Sequence, residues 1–161
     1  MTKTFYRRIL PHLQRDAKPH FVTFCTYLRW ILPEPARQIA LASCLHDNQY
    51  KLDLNVAVVM PDHVHIIFTP LINQSAQEVY SLAEIMDSIK GASAHQINRL
   101  LARTGKVWQT ESFDRVLRSS DRLDAKITYI LENPVRKGLV SNWKDYPWLW
   151  YREPKNPFAP R

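Results

Sequence analysis

The sequence is poor in glycine and cysteine. Its 161 residues include only three glycines and two cysteines. Three scattered glycines exclude the Gly-rich loops that cradle phosphates. Cys25 and Cys44 are too few for a disulfide framework and lie far from any Cys/His cluster with zinc-site spacing. We therefore expect both to be buried free thiols, and the eleven prolines become the main markers of element boundaries.

Long apolar segments are also absent. No apolar run approaches the roughly 20 residues that span a bilayer. The first residues, MTKTFYRRIL, lack the apolar stretch and cleavage site of a signal peptide. We expect a single domain over residues 1–161, located in the cytoplasm and without a membrane partner. Within it, residues 1–19 should form a basic N-terminal arm, and residues 146–161 a tail that packs first and then frays.

Positive charge is what the sequence has in excess. The net charge is +7 at neutral pH, and the surplus lies largely in the C-terminal half. Clustered lysines and arginines release counterions when they neutralise phosphates, so nucleic acid is the indicated partner. The candidate contact residues are Arg7, Arg8, Lys90, Trp108, Arg115, Arg118, Arg122 and Lys126. Two alternatives stay open, because Trp108 also suits a core position and the N-terminal arm also suits a solvated tail.

Hydrophobic patterning predicts an α+β fold. Strands are predicted over residues 20–27, 50–60 and 63–69, with a last strand pair at 106–109 and 113–118. Helices are predicted over residues 36–46, 81–103 and 121–133. The order β-α-β-β-α-β-α is that of a ferredoxin-like fold with an antiparallel sheet, and the hairpin of the second and third strands should form its centre.

Polar residues and prolines predict where these helices begin and end. Ser81 and Glu84 have the spacing of a capping box at the start of the long helix. Ser120 or Asp121 is the expected N-cap of the last helix. Pro134 should end that helix, since a residue before proline is biased away from helical geometry.

Two histidines stand two residues apart on a predicted strand. Alternate strand residues share a face, so His63 and His65 should point one way and Val64 and Ile66 the other. Two imidazoles on one face suit a divalent metal site. The same pair also occurs by chance on wet sheet faces, so the metal reading requires a third ligand.

The last predicted helix supplies a candidate partner for that pair. At about 100° per residue, Arg122, Lys126, Tyr129 and Asn133 fall within about 60° of one another. Apolar residues occupy the adjoining side. By itself this pattern is also that of an amphipathic surface helix with a tyrosine at its boundary.

Several segments, taken in order and spacing, resemble a known family. They are YRRILPH, HFVTF, MPDHVHIIF, SLAEIMDSIKG, VWQTESFDRVLR, YILENPVRKGLV and DYPWLWY. From Tyr6 to about Arg152 the chain is similar to the transposases of the single-tyrosine HUH superfamily, especially the REP-associated tyrosine transposases of bacteria.

This resemblance implies a metal-dependent endonuclease and strand transferase acting on single-stranded DNA. It implies that His63 and His65 bind the metal, that Tyr129 becomes linked to the 5′ phosphate, and that Asn133 completes the site. Relatives place glutamine at the last position, so Glu132 or a helix-capping role for Asn133 stays open. Magnesium or manganese is the expected ion, and zinc fits by ligand type alone.

The resemblance also implies the setting. The expected partner is single-stranded DNA with hairpins, such as palindromic repeats, near the bacterial nucleoid. No small-molecule cofactor is expected, and a monomer is favoured over a homodimer. Two alternatives stay open: a domesticated hairpin-binding protein with little turnover, and an HUH replication initiator.

Overall fold

The structure, a computed structural model, describes residues 17–153 and is built around a five-stranded antiparallel sheet. The sheet strands are β1 His20–Cys25, β2 Leu52–Val59, β3 His63–Pro70, β6 Phe113–Val116 and β7 Leu149–Tyr151. Their order across the sheet is β6-β1-β3-β2-β7, which places β3 at the centre. A separate two-stranded sheet pairs β4 Ile72–Asn73 with β5 Glu78–Val79.

Four α-helices complete the described part of the chain. They are α1 Glu34–His46, α2 Leu82–Leu100, α3 Ser120–Leu131 and the one-turn α4 Asn133–Arg136, and two 3-10 turns lie at Tyr27–Arg29 and Trp143–Asp145. Along the chain, α1 connects β1 to β2 and α2 lies between β3 and β6. Together with the spatial order β6-β1-β3-β2, this arrangement is ferredoxin-like. The predicted α+β fold with the histidine strand at its centre is confirmed.

The two faces of the sheet carry different apolar clusters. On one face, Val22 and Phe24 of β1 and Val64, Ile66 and Phe68 of β3 pack under α1 and α2. The opposite face has a smaller cluster centred on β2 and the end of α3. That cluster consists of Phe21, Val56, Val58, Met60, Ile67, Leu117, Ile130, Leu131 and Tyr146. Because strand side chains alternate, the residues between those of the first cluster face the second layer.

The β2-β3 pairing contains a β-bulge. Leu54 pairs with Phe68 and Val56 with Ile67, so Asn55 is an extra residue in β2. The backbone carbonyl of Asn55 accepts a hydrogen bond from the N–H of Arg152, just after β7, at 3.0 Å. The bulge therefore also anchors the chain where the last strand leaves the sheet.

Helix starts follow the predicted chemistry, with one correction. Ser81 Oγ accepts from the Glu84 N–H at 3.1 Å, and the Glu84 carboxylate accepts from the Ser81 N–H at 2.9 Å, which confirms the capping box. The N-cap of α3 is Ser119, whose hydroxyl accepts from the Arg122 N–H at 3.2 Å. Ser120 and Asp121 instead lie within the first turn, so both N-cap candidates were wrong by one or two positions.

Three further expectations differ from the structure. Residues 106–109 do not form a strand, because Trp108 makes only one isolated bridge, to Thr26. Of the expected strand pair, only β6 forms, and it pairs with β1. Pro134 does not end the helical path; it lies in the first turn of α4, where its missing N–H costs nothing. Cys44 is buried but Cys25 is only partly buried, and both are free. Most of the basic arm, residues 1–16, and the end of the tail, residues 154–161, lie outside the described residues.

Candidate active site

His63 and His65 lie side by side on the central strand, on the face away from α1 and α2. Their ring centroids are 4.7 Å apart, whereas Val64 and Ile66 between and beyond them are fully buried in the opposite layer. The strand alternation thus produces the arrangement that the sequence predicted. Two imidazoles are thereby presented together at one end of β3.

Each imidazole is oriented by a hydrogen bond to its Nδ1 atom. His65 Nδ1 lies 2.7 Å from the hydroxyl oxygen of Thr23 on β1, and His63 Nδ1 lies 2.7 Å from a carboxylate oxygen of Asp62. A carboxylate only accepts, so the His63 Nδ1–H donates, and in the neutral ring Nε2 keeps its lone pair. Such partners fix ring orientation and raise the basicity of a metal-ligating histidine.

The neighbourhood of His65 keeps its imidazole neutral. Burial, followed by the positive potential of His63, Lys126, Arg136 and Lys137, lowers the pKa of His65 to about 3. The ring is therefore uncharged at neutral pH. An uncharged imidazole offers the lone pair that a metal ligand needs.

Tyr129 lies in the last turn of α3, next to this histidine pair. Its ring centroid is 6.5 Å from that of His65, and the residue remains 47% exposed. Lys126 Nζ lies 4.9 Å and Arg136 Cζ 4.1 Å from the centroid of the tyrosine ring. Arg136 also donates a hydrogen bond to the Tyr129 carbonyl at 2.5 Å. An accessible phenol is thus held between two cations and a histidine of its own chain.

Asn133 is buried at the first position of α4, one turn beyond Tyr129, and is 3% exposed. Its side chain makes no hydrogen bond to either histidine within residues 17–153. Glu132 caps the junction between α3 and α4 and is partly buried. Which of these two residues completes the metal site is therefore a matter for the proposal below.

The donor chemistry of the histidine pair fits a divalent ion. Across the described segment, no group of three or more His, Cys, Asp or Glu side chains is placed to hold a metal. Two Nε2 atoms on one face can still bind such an ion if further donors come from an amide oxygen, water or the substrate.

Several of the predicted DNA-contacting residues line one cleft beside Tyr129. Arg115 of β6 and Arg122 and Lys126 of α3 surround a space of about 280 Å³ with Leu117 and Ala125. Arg118 is exposed just after β6. The structure therefore brings together three of the predicted cations. Arg7 and Arg8 lie outside the described residues.

Two other predicted contacts serve the fold. Trp108 is 5% exposed, packs edge-on against Phe24 with centroids 4.8 Å apart, and donates from Nε1 to Ser93 Oγ at 2.9 Å. A base cannot stack on a ring that is already covered, so the core alternative for Trp108 is the correct one. Lys90 Nζ donates to the carbonyls of Gln109 and Thr110 at 2.6 and 3.0 Å and thereby holds the loop before β6.

Three residues of the site were not singled out from the sequence. Asp62 could have been, since a carboxylate next to a candidate ligand is a common orienting partner. Arg136 is seven residues, or two helical turns, after Tyr129, but the helix was expected to end before it. Thr23 lies 42 residues from His65 in sequence, and only the strand register brings the two together.

Comparison with known proteins identifies the class. The family model described as "Transposase IS200 like" matches residues 14–132, a segment that contains His63, His65 and Tyr129 and ends just before Asn133. A REP-associated tyrosine transposase solved with a REP hairpin has a similar fold, with 22% identity, a TM-score of 0.61, and coverage of 83% of this chain and 76% of that one. A protein from Deinococcus radiodurans R1, assigned as a transposase, is 21% identical with a TM-score of 0.50 and coverage of 73% and 90%. No curated protein sequence matches significantly.

The family match defines a transposase, and the REP-associated enzyme shares the fold. The family match extends over most of the sequence, and the chain therefore belongs to the IS200-like transposase family. It is accordingly an enzyme of DNA strand transfer. Among residues 17–153, no helix has the length and apolarity to cross a membrane.

Proposed function

We propose that this transposase is a metal-dependent endonuclease and strand transferase for single-stranded DNA, acting next to hairpins such as palindromic repeats. One observation carries the proposal: the half-exposed Tyr129 ring lies 6.5 Å from His65, in a pair of imidazoles whose Nδ1 atoms are already engaged. A hairpin partner is supported by the similar fold of the REP-associated tyrosine transposase that was solved with a REP hairpin.

His63 and His65 would hold the divalent ion, with Asn133 as the proposed third ligand. When bound, the ion would polarise the scissile phosphate and neutralise part of its charge. Manganese accepts imidazole more readily than magnesium does, and both leave positions for oxygen ligands. Thr23 and Asp62 keep the two rings turned toward the site.

Tyr129 is the proposed nucleophile. Its phenolic oxygen gives up its proton and attacks the phosphorus atom, the bond from phosphorus to the 3′ oxygen breaks, and that oxygen takes up a proton and leaves as a hydroxyl group. The 5′ phosphate stays attached to the tyrosine. Lys126 and Arg136 lie against the ring, where their positive charge would draw the anionic phosphate to the phenolic oxygen and offset the charge that builds up on the phosphate oxygens during attack.

The phosphotyrosine bond preserves the energy of the original ester. A new 3′ hydroxyl can attack the same phosphorus atom, re-form a phosphodiester and release the phenol, with no ATP consumed. This exchange of one ester for another is what separates a strand transferase from a hydrolase. Tyr129 lies beside His65 of its own chain, which supports a chain that completes both steps with its own residues.

The direct test is to capture the covalent product. Hairpin-bearing single strands would carry their label on the fragment whose 5′ phosphate becomes linked to Tyr129. They would be incubated with protein and manganese or magnesium, then resolved under denaturing conditions. A protein-linked product is expected for the natural chain and not for Tyr129→Phe. Cleavage that persists unchanged in Tyr129→Phe would show that another residue is the nucleophile.

The same samples separate the transferase from the two alternatives. A domesticated binder would retard hairpins but yield no covalent product with either ion. A replication initiator would cleave an origin-like single strand regardless of palindromic flanks. His63→Ala combined with His65→Ala should remove the metal dependence while sparing hairpin affinity.

A further inference from the structure

One aromatic ring at the edge of the sheet is exposed without a packing reason. Phe113 begins β6, the outermost strand next to β1, and is 58% exposed. Its ring contacts that of Phe21 edge-on, at a centroid distance of 6.1 Å. Most of the ring therefore faces solvent, which costs free energy unless a ligand uses it.

The strand register places Phe113 in line with the histidine pair. Phe113 pairs with Thr23 on β1, and Thr23 pairs with His65 on β3. Residues paired directly across antiparallel strands project to the same face. Phe113 thus lies two strand spacings, about 10 Å, from His65 on the face where Tyr129 is.

Cationic side chains lie between this ring and Tyr129. Arg115 is two residues after Phe113, so it shares its face, and it lines the cleft of about 280 Å³ with Arg122 and Lys126. Leu117 and Ala125 provide the apolar part of the lining, and no carboxylate from residues 17–153 contributes to it. Lys126 also bridges toward the centre of the site, with Nζ 4.8 Å from the Phe21 ring and 4.9 Å from the Tyr129 ring.

We propose that Phe113 stacks on one unpaired base of the DNA strand that enters the site, while Arg115 and Arg122 bind the phosphates of that segment. The inference rests on the proposed function and adds the path of the substrate over the β6 edge. Every base has an apolar face, so such stacking is tolerant of sequence. It selects for an unpaired strand, because a paired base keeps its faces covered by its neighbours.

A second exposed aromatic residue provides a matched control. Tyr50 is 66% exposed and contacts Tyr80, with centroids 6.3 Å apart. It precedes β2 at the end of the sheet where Leu52 pairs with Pro70, seven residues along β3 from His63. That separation is about 23 Å, so a base at the active site cannot reach it directly.

The first experiment measures affinity for a hairpin oligonucleotide with single-stranded flanks, by fluorescence anisotropy in EDTA so that no cleavage occurs. Phe113→Leu should weaken binding about 5- to 100-fold, as loss of one base–aromatic stack does elsewhere. Phe113→Tyr keeps the ring, so its hairpin affinity should remain within about 2-fold of that of the natural chain. The affinity of Tyr50→Leu should also stay within that range. Thermal melting of Phe113→Leu checks that the fold is intact.

The second experiment locates the base and counts the phosphates. Iodouracil placed in turn at each flanking position should crosslink to Phe113 from one position only, as identified by mass spectrometry. Arg115→Gln and Arg122→Gln should each reduce the slope of log K against log salt by about 0.7, the value for one single-strand phosphate. Arg99→Gln, an exposed arginine on α2, should leave the slope unchanged.

Cleavage by the natural chain, measured separately, distinguishes the two proposals. If the natural chain forms the covalent product but Phe113→Leu binds normally and no crosslink reaches Phe113, the stacking proposal is overturned and the transferase stands. If no covalent product forms but Phe113→Leu still loses affinity, the transferase fails and the stacking site stands. Equal losses for Tyr50→Leu and Phe113→Leu would also overturn the stacking proposal.

Discussion

The two faces of the sheet differ in what their side chains are for. On one face, Phe24, Val64 and Ile66 are sealed under two long helices, with exposures of 0–1%. On the other face, the ends of β1 and β3 carry Thr23 and His63, which are only partly buried, beside the exposed ring of Tyr129. Apolar burial stabilises the first face, whereas the open part of the second leaves room for a ligand.

The difference teaches how one strand can serve two purposes. In β3, His63 and His65 alternate with Val64 and Ile66, so the same backbone hydrogen bonds hold both sets in place. The packed face fixes the backbone, and the backbone fixes the imidazoles. A rigid strand positions a catalytic group more precisely than a loop does.

The largest effect expected from this division is on stability alone. Ile66→Ala removes a fully buried side chain from the sealed face and should lower the free energy of unfolding by about 2–5 kcal/mol. Covalent-product formation per folded molecule should be unchanged well below the melting temperature. Chemical denaturation and single-turnover assays on the same samples check both parts, with Tyr129→Phe as the counterpart that should keep its stability and lose activity. Loss of activity in Ile66→Ala beyond its unfolded fraction would break the division.

A smaller effect is expected from loosening one imidazole. Thr23→Val keeps the side-chain shape but removes the hydroxyl bonded to His65 Nδ1, so the affinity for manganese should fall about 10- to 100-fold. Isothermal titration calorimetry on the protein without DNA measures this independently of turnover. Thr69→Val, further along the same face of β3, is the control and should bind manganese normally. Unaltered affinity in Thr23→Val would mean that the hydrogen bond does not orient a ligand.

The smallest effect expected concerns the tryptophan on the sealed face. Trp108→Phe removes the Nε1 donor of the bond to Ser93 Oγ and should cost about 1–3 kcal/mol of stability. Hairpin affinity should stay within about 2-fold, because the ring is not available to a base. Anisotropy titrations beside Phe113→Leu make the contrast. A loss of affinity similar to that of Phe113→Leu would place Trp108 back in the DNA path.

Local patterns in the sequence predicted the parts of the fold that depend on neighbours in the chain. His63 and His65 share a face because the strand period is two, and Ser81 with Glu84 forms a capping box because their spacing is fixed by helix geometry. Tyr129 required more than a pattern. Its helical stripe allowed a surface role, and the family resemblance singled it out as the nucleophile.

The remaining features depend on contacts between distant segments. Thr23 meets His65, and Phe113 lines up with both, only through strand register. The three-residue β7 has too few positions to display alternation, and it forms because β2 offers a free edge. Trp108 and Phe113 are both aromatic residues near β6, but the first is buried and the second is exposed. Residue type alone does not predict this difference.

The bulge at Asn55 also bears on how this lineage can tolerate changes in length. Leu52 and Leu54 before it face the same layer as Ala57 and Val59 after it, so β2 has absorbed one residue without turning any of these side chains to the wrong side. β2 and β3 both have neighbours on two edges, but β3 carries the histidine pair and pairs with β1 in an unbroken register. A single insertion there would exchange the imidazoles with valine and isoleucine, so indels should survive selection in β2 and be eliminated from the strand beside it.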